Sequence, residues 1–165
     1  MVEFNRNRGS TRSGDAADAV THHAKTAFDG EGARQEGGRW NPKGIPVVYL
    51  SDHPALAALE TFVNLKSAAM NIEFVMFRVV IPAEVPVLEL AVADLPAVWR
   101  NEPPPSETMA VGEKWIREGK ATVLKVPSIL VPAAANFVLN PHHPAAKKVR
   151  IGPAEKFSFD PRMWK

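Results

Sequence analysis

The 165-residue chain has no cysteine. Disulfide scaffolds, thiol catalysis and cysteine-ligated zinc are therefore excluded. No apolar run approaches the roughly 18–20 residues a membrane span needs. The polar stretch from Met1 to Asp18 also lacks the apolar centre of a secretory signal. An excess of either charge is missing too. Twenty Lys and Arg against 18 Asp and Glu leave a formal net charge of +2, well short of a protein that coats nucleic acid. There is no fixed-period repeat. Nor is there a G-x-x-x-x-G-K-[ST] loop, a G-x-S-x-G elbow or an H-E-x-x-H string. Gly30 to Gln35 begins like a dinucleotide fingerprint but lacks the third glycine and follows no suitable strand. What remains is an ordinary globular mix, 45% hydrophobic and 23% charged, of a size for one domain with a proper core. The expectation is a soluble, cytoplasmic single domain.

Residues 1–18 hold almost no large apolar side chain and read as a flexible arm, with the folded domain over 19–165. Phe28 to Gly44 is glycine-rich and reads as turns and loops. Ile45 to Leu50 is β-branched and aromatic and reads as a strand, ended by Ser51-Asp52. Pro54 opens a helix with Ala55–Lys66 as its body and Ser51 or Asp52 near its cap. Glu73–Ile81 is strand-like, and Pro82 to Ser106 reads as irregular. Ser106 can cap a helix over Glu107–Glu118 that Gly119 stops. Ala121–Val126 is a second strong strand. Phe137–Leu139, Val149–Ile151 and Lys156–Phe159 are short candidates. Strands outnumber helices and do not alternate with them regularly, so the fold class is α+β, with mixed or antiparallel pairing and a few short helices.

Several side chains stand out as candidates. Arg39 closes the glycine-rich loop, where a guanidinium offers a planar fork to phosphate or carboxylate; alternatively it stacks on Trp40. Glu60 is the only acid between Ala55 and Ile72. At about 100° per residue it lies about 40° from Leu56 and about 60° from Val63, on the apolar face of its helix. A carboxylate there either has a buried partner or lines a cavity. Tyr49, the only tyrosine, sits in an aliphatic strand and needs a hydroxyl partner or a pocket for its ring. Ser128 follows a proline at a strand end, where the sheet opens. Asn136 and Asn140 read as turn and cap residues. The pairs His22-His23 and His142-His143 are candidates for a metal site or for turn packing, since neighbours in an extended segment diverge.

Taken together, the strings form a pattern. Gly-Glu-Gly-Ala-Arg (30–34), Gly37-Gly38-Arg39-Trp40-Asn41-Pro42-Lys43-Gly44, Pro46-Val47-Val48-Tyr49 and Leu56-Ala57-Ala58-Leu59-Glu60 resemble the RES domain family. Gly112-Glu113-Lys114-Trp115, Val126-Pro127-Ser128, Asn136-Phe137-Val138-Leu139-Asn140-Pro141, His143-Pro144 and Phe157–Arg162 continue the match. The resemblance implies a fold like that of ADP-ribosyltransferases and a toxin of a bacterial toxin–antitoxin pair. Its partner would be an Xre-like antitoxin with a helix-turn-helix domain. NAD+ would be a substrate, with no metal required. ADP-ribose would pass to water, to phosphate or to a protein such as the enzyme that makes phosphoribosyl pyrophosphate. By the same resemblance Arg39, Tyr49, Glu60 and Ser128 match active-site positions, and Asn136 lies near that pocket.

Under that implied chemistry Glu60 would meet the ribose hydroxyls and stabilise an oxocarbenium-like transition state. Arg39 would hold the pyrophosphate, Tyr49 would stack on nicotinamide, and Ser128 would bond the ribose or carboxamide. Two positions depart from the pattern. The family's early arginine is absent from Ala19-Val20-Thr21-His22, with Arg12 and Arg34 as possible substitutes. Asn64 stands where a histidine is frequent. The competing readings are a non-enzymatic member that only binds its antitoxin, and a small basic nucleic-acid-binding domain.

Overall fold

Eight strands join one sheet in the computed structural model, which describes residues 14–65 and 72–164. In chain order the elements are β1 (Asp15–Thr21), α1 (Glu31–Glu36), β2 (Val48–Ser51), α2 (Pro54–Phe62), β3 (Phe74–Ile81) and β4 (Val87–Glu89). There follow α3 (Ser106–Glu118), β5 (Val123–Pro127), β6 (Ala135–Leu139), β7 (Arg150–Ile151) and β8 (Glu155–Phe157). The sheet runs β4-β5-β6-β2-β1-β3-β7, and β8 also pairs with β3. β4 and β5 are parallel; the other pairs are antiparallel. The fold is α+β with a mixed sheet, as the irregular element order implies.

Strand parity divides the core in two. Ala17 and Ala19 face Val79 and Phe77 across β1 and β3, and Leu50 faces Phe137 across β2 and β6. These side chains share one face and form a buried cluster with Val48, Val123 and Leu139. On the opposite face Leu124, Val126 and Val138 pack against Trp40, Trp99 and the α3 residues Val111 and Trp115. That second cluster covers only the β4-β5-β6 side of its face. On the β2-β1-β3 side the same face carries Tyr49, Ser51, Asp18 and Arg78, and α2 packs over β1 and β2 there, burying Ser51 and Asp18.

β1 begins inside the segment expected to be an arm: Asp15–Asp18 belong to the strand, and residues 1–13 lie outside the described structure. Small alanines suffice here because neighbouring rings fill the space, with Phe28 meeting Phe77 edge-on at 5.2 Å. α1 forms where only loops were expected. Gly30 enters it at φ 76°, Arg34 forks onto Glu31 at 2.7 and 2.6 Å, and Gly37 leaves at φ 75°. β2 starts at Val48 and not at Ile45, since Pro46 has no N–H for a ladder. The cap of α2 is His53, whose Nδ1 accepts the Ala55 N–H (3.1 Å), in place of Ser51 or Asp52. α2 ends at Phe62; the expected extension to Lys66 leaves the described residues. α3 starts at Ser106 itself, with Pro105 at its cap, and Gly119 closes it at φ 58°. β4 was not anticipated; its parallel pairing with β5 is a long-range match that no local pattern announces.

Gly112 explains how α3 seats. A Cβ there would lie 1.7 Å from the Trp40 carbonyl oxygen, so only glycine lets the helix touch that backbone. At the other end of the molecule, Phe62 on α2 meets Phe159 (5.4 Å) and Trp164 (5.0 Å), and Phe159 meets Phe74 on β3 (5.2 Å). This aromatic clasp fixes the C-terminal end of α2 against the sheet.

Candidate functional site

Glu60 lies on the last turn of α2, half-buried, and its Oε1 is held from two directions. The Ser128 hydroxyl donates to it at 2.9 Å and Asn136 Nδ2 at 2.6 Å. Among the described residues Oε2 has no hydrogen-bond partner. A carboxylate fixed at one oxygen and open at the other is pre-set to accept a hydrogen bond from a ligand.

Each partner is positioned in turn. Ser128 is fully buried. Its Oγ accepts the N–H groups of Leu130 (3.1 Å) and Val131 (3.2 Å), which bends Ile129–Val131 into a turn instead of prolonging the strand. The single hydroxyl proton is therefore given to Glu60. Ser128 thereby holds the carboxylate. Asn136 Oδ1 accepts from the Ser51 hydroxyl at 2.8 Å, which turns the amide's Nδ2 toward Glu60. Asp52 extends the β2–β6 pairing beyond Ser51: its backbone N–H donates to Ala135 O (3.0 Å) and its Oδ2 accepts the Ala135 N–H (2.8 Å). α2 itself is tied to β1 by Thr61, whose hydroxyl lies 3.2 Å from the Val20 carbonyl. Asn64, at the position that departs from the family pattern, donates to the backbone carbonyl of Glu60 at 2.8 Å and steadies the end of its helix.

Tyr49 precedes Ser51 by two residues on β2 and points to the same face. It is 37% exposed, yet its hydroxyl is enclosed. The hydroxyl donates to Asn41 Oδ1 (2.7 Å) and accepts the Trp40 N–H (3.1 Å). Burial pushes its pKa up, so the phenol stays protonated. Gly38 makes room for it, since a Cβ at 38 would lie 2.6 Å from that oxygen. Asn41, completely buried, donates to the carbonyls of Ala33 (2.8 Å) and Ile45 (3.0 Å) and so ties the glycine-rich loop together. The ring face of Tyr49, not its hydroxyl, is what the open side of the sheet presents.

Arg39 is placed differently from expectation. Its guanidinium donates to the carbonyls of Trp99 (2.5 Å) and Asn101 (3.0 Å) and pairs closely with Glu102. It neither stacks on Trp40 nor stands open to a diphosphate; it closes the 99–102 segment against the Tyr49 end of the site. The ring beneath a guanidinium is Trp99, under Arg100 at 4.7 Å. Arg34, a possible substitute for the missing early arginine, is spent on Glu31, whose carboxyl it holds well below the usual range. Arg12 lies outside the described residues.

The histidines do structural work. His22 and His23 lie ring against ring at 3.8 Å, and burial and the neighbouring imidazole lower the pKa of His22. His143 sits 2.8 Å from the Thr122 hydroxyl and 3.1 Å from the Gly119 carbonyl. No group of three or more metal-ligating side chains gathers among the described residues, and no helix of theirs is long and apolar enough to cross a membrane. A groove of about 320 Å³ is lined by Asp52, Glu89, Lys125, Val126 and Ala135 at the β4-β5 side of the sheet. Glu60, Ser128, Asn136 and Tyr49 thus converge on one face, while Arg39 is held aside. Sequence reasoning missed Ser51 and Asn41, whose signal was polarity inside otherwise apolar or glycine-rich runs.

Residues 15–160 match the RES domain family. The chain is 37% identical over 150 residues to the Prs ADP-ribosylating toxin of Sphingobium sp. (strain YBL2), covering 90% of this chain and 92% of that protein. It is 30% identical over 138 residues to the NAD(+) phosphorylase MbcT of Mycobacterium tuberculosis (strain ATCC 25618 / H37Rv), covering 80% and 74%. A chain of the crystal structure of the M. tuberculosis MbcT–MbcA toxin–antitoxin complex superposes with a TM-score of 0.74 at 18% identity, over 92% of this chain and 87% of that one.

Proposed function

The chain belongs to the RES domain family, and from that premise we propose that it is the toxin of a toxin–antitoxin pair and that it consumes NAD+. Glu60 carries this reading: its Oε1 is locked by Ser128 and Asn136, and its Oε2 is left to a ligand. The scissile bond is the one between nicotinamide N1 and ribose C1′. It breaks heterolytically, the electron pair leaving with the nicotinamide nitrogen, so a cationic ring departs as a neutral molecule and needs no general acid. Ordinary glycoside hydrolysis, with its two flanking carboxylates, differs in this respect. Oε2 accepts a hydrogen bond from a ribose hydroxyl, and the fixed negative charge stabilises the positive charge developing at C1′. The exposed ring face of Tyr49 stacks on nicotinamide. Arg39 keeps the 99–102 segment closed beside that ring. NAD+ is a substrate, not a retained cofactor.

The acceptor is the finer question. Water would yield ADP-ribose and a proton, and phosphate would yield ADP-ribose 1″-phosphate. A protein nucleophile would be left carrying ADP-ribose. The likeness to a Prs ADP-ribosylating toxin favours a protein acceptor, phosphoribosyl pyrophosphate synthetase; the likeness to an NAD(+) phosphorylase keeps phosphate in the test. The partner is a cognate antitoxin with an Xre-like helix-turn-helix domain, and the place of action is the cytoplasm.

The purified protein, incubated with NAD+ alone, with phosphate or with the synthetase, should release nicotinamide, and mass spectrometry should locate the ADP-ribose. Glu60→Gln keeps the shape and loses the charge, and should slow release by about 10²–10³-fold. Release by the variant at the parental rate would refute the role of Glu60. Binding of the antitoxin with no nicotinamide release under any condition would instead establish the non-enzymatic, antitoxin-binding reading.

A further inference from the structure

Glu60 is held by side chains that are themselves held, and the chain of donors runs one residue past those that touch it. Ser51, on β2, is 3% exposed and lies where α2 packs over β1 and β2. It is the register partner of Asn136 on β6. The ladder hydrogen bond belongs to the adjacent pair, Asp52 N–H to Ala135 O at 3.0 Å. Ser51 and Asn136 are therefore a non-hydrogen-bonded pair, the kind whose side chains stand closest. The Ser51 hydroxyl donates to Asn136 Oδ1 at 2.8 Å, and Asn136 Nδ2 donates to Glu60 Oε1 at 2.6 Å.

Packing alone does not call for a hydroxyl at this place. Alanine would fill almost the same space and leave no buried polar group to satisfy. What Ser51 adds is direction. The two ends of an amide have nearly the same shape, but only the nitrogen can donate to a carboxylate. With Oδ1 engaged by Ser51, the amide is held at both ends and Nδ2 stays on Glu60 Oε1. Ser128 supplies the second donor to the same oxygen, at 2.9 Å. Two converging donors fix the plane of the carboxylate and the direction of Oε2, whereas one alone lets the group swing about that single bond.

We propose that Ser51 is a positioning residue for cleavage of NAD+, acting on Glu60 through Asn136 without touching the substrate. The inference rests on NAD+ being the substrate at Glu60, and its test separates the two. Nicotinamide release is followed at a temperature where melting curves show every variant folded. Ser51→Ala should lower kcat by roughly 5–30-fold, the effect of one lost hydrogen bond to a buried group. Because Ser51 is enclosed, KM for NAD+ should stay within about twofold of the parent. In an Asn136→Ala background the same change should lower kcat by less than about twofold, since the residue it acts through is gone. A merely structural serine would not show that dependence on Asn136. Parental kcat in Ser51→Ala, or an equal fall in both backgrounds, overturns the role of Ser51 and leaves cleavage of NAD+ at Glu60 in place. A parental protein that releases no nicotinamide overturns the NAD+ reading itself, and the role of Ser51 with it.

Discussion

Removing one oxygen from Tyr49 separates the structural part of this residue from its part in the site. In Tyr49→Phe, Asn41 Oδ1 loses the hydrogen bond it accepts at 2.7 Å and the Trp40 N–H loses the acceptor at 3.1 Å. Asn41 is completely buried and Trp40 is 3% exposed, so water cannot readily replace either partner. Each orphaned buried group costs about 1–3 kcal/mol. Some relaxation of Asn41 is available through its bonds to Ala33 and Ile45, which puts the total at about 2–4 kcal/mol. For a domain of this size that is a fall in Tm of roughly 5–15 °C. Chemistry should fare much better. The phenol stays protonated because burial raises its pKa, and both its hydrogen bonds are internal. The ring face proposed to meet nicotinamide is retained. At a temperature where the variant is folded, kcat for nicotinamide release should lie within about fivefold of the parent. Urea denaturation followed by tryptophan fluorescence gives the stability, and chromatography of released nicotinamide gives the rate. The reasoning fails if Tyr49→Phe is as stable as the parent. It fails equally if the folded variant loses about 100-fold in kcat, which would put the hydroxyl on the substrate.

Gly112→Ala would bring a Cβ to 1.7 Å from the Trp40 oxygen and 2.7 Å from its carbonyl carbon, both backbone atoms that cannot rotate away. A loss of about 3 kcal/mol or more is expected in urea denaturation, and a change under about 0.5 kcal/mol would show that α3 is not seated on that carbonyl. Asp18→Asn should act in the opposite direction. Burial, opposed by Arg78 and His53, raises the Asp18 pKa above 3.8, so the folded state holds that proton more tightly than the unfolded chain does. The cost of the buried charge is full above the folded pKa and is relieved as pH falls through it. The variant should therefore gain up to about 2 kcal/mol at pH 7 and lose that advantage below about pH 4. A thermal-melting series across pH 3–8 that found no such crossover would contradict the assigned desolvation.

Glu60 was legible as a candidate because a lone acid on an apolar helical stripe violates the pattern around it, and because Tyr49 and Ser128 break theirs in the same way. Their directions were not legible. That Ser128 gives its proton to Glu60 depends on a turn closed by its own Oγ, and that Arg39 is engaged by the 99–102 segment depends on carbonyls some 60 residues downstream. β1 shows the limit more sharply. Alanine and aspartate are both depleted in strands, so Asp15–Thr21 reads locally as an arm. It becomes a central strand because β2 and β3 supply a ladder on both sides, and tertiary pairing outweighs weak propensity.

Register is the information that a linear reading lacks. Positions 18, 51, 78 and 136 look unrelated along the chain, yet they are consecutive across the sheet. Ser51 and Asp18 lie buried where α2 packs on β1 and β2, so the fold encloses the middle of this polar row. An apolar row would cost less, since Asp18 bears a desolvated charge and Arg78 returns only a weak pair at 3.8 Å.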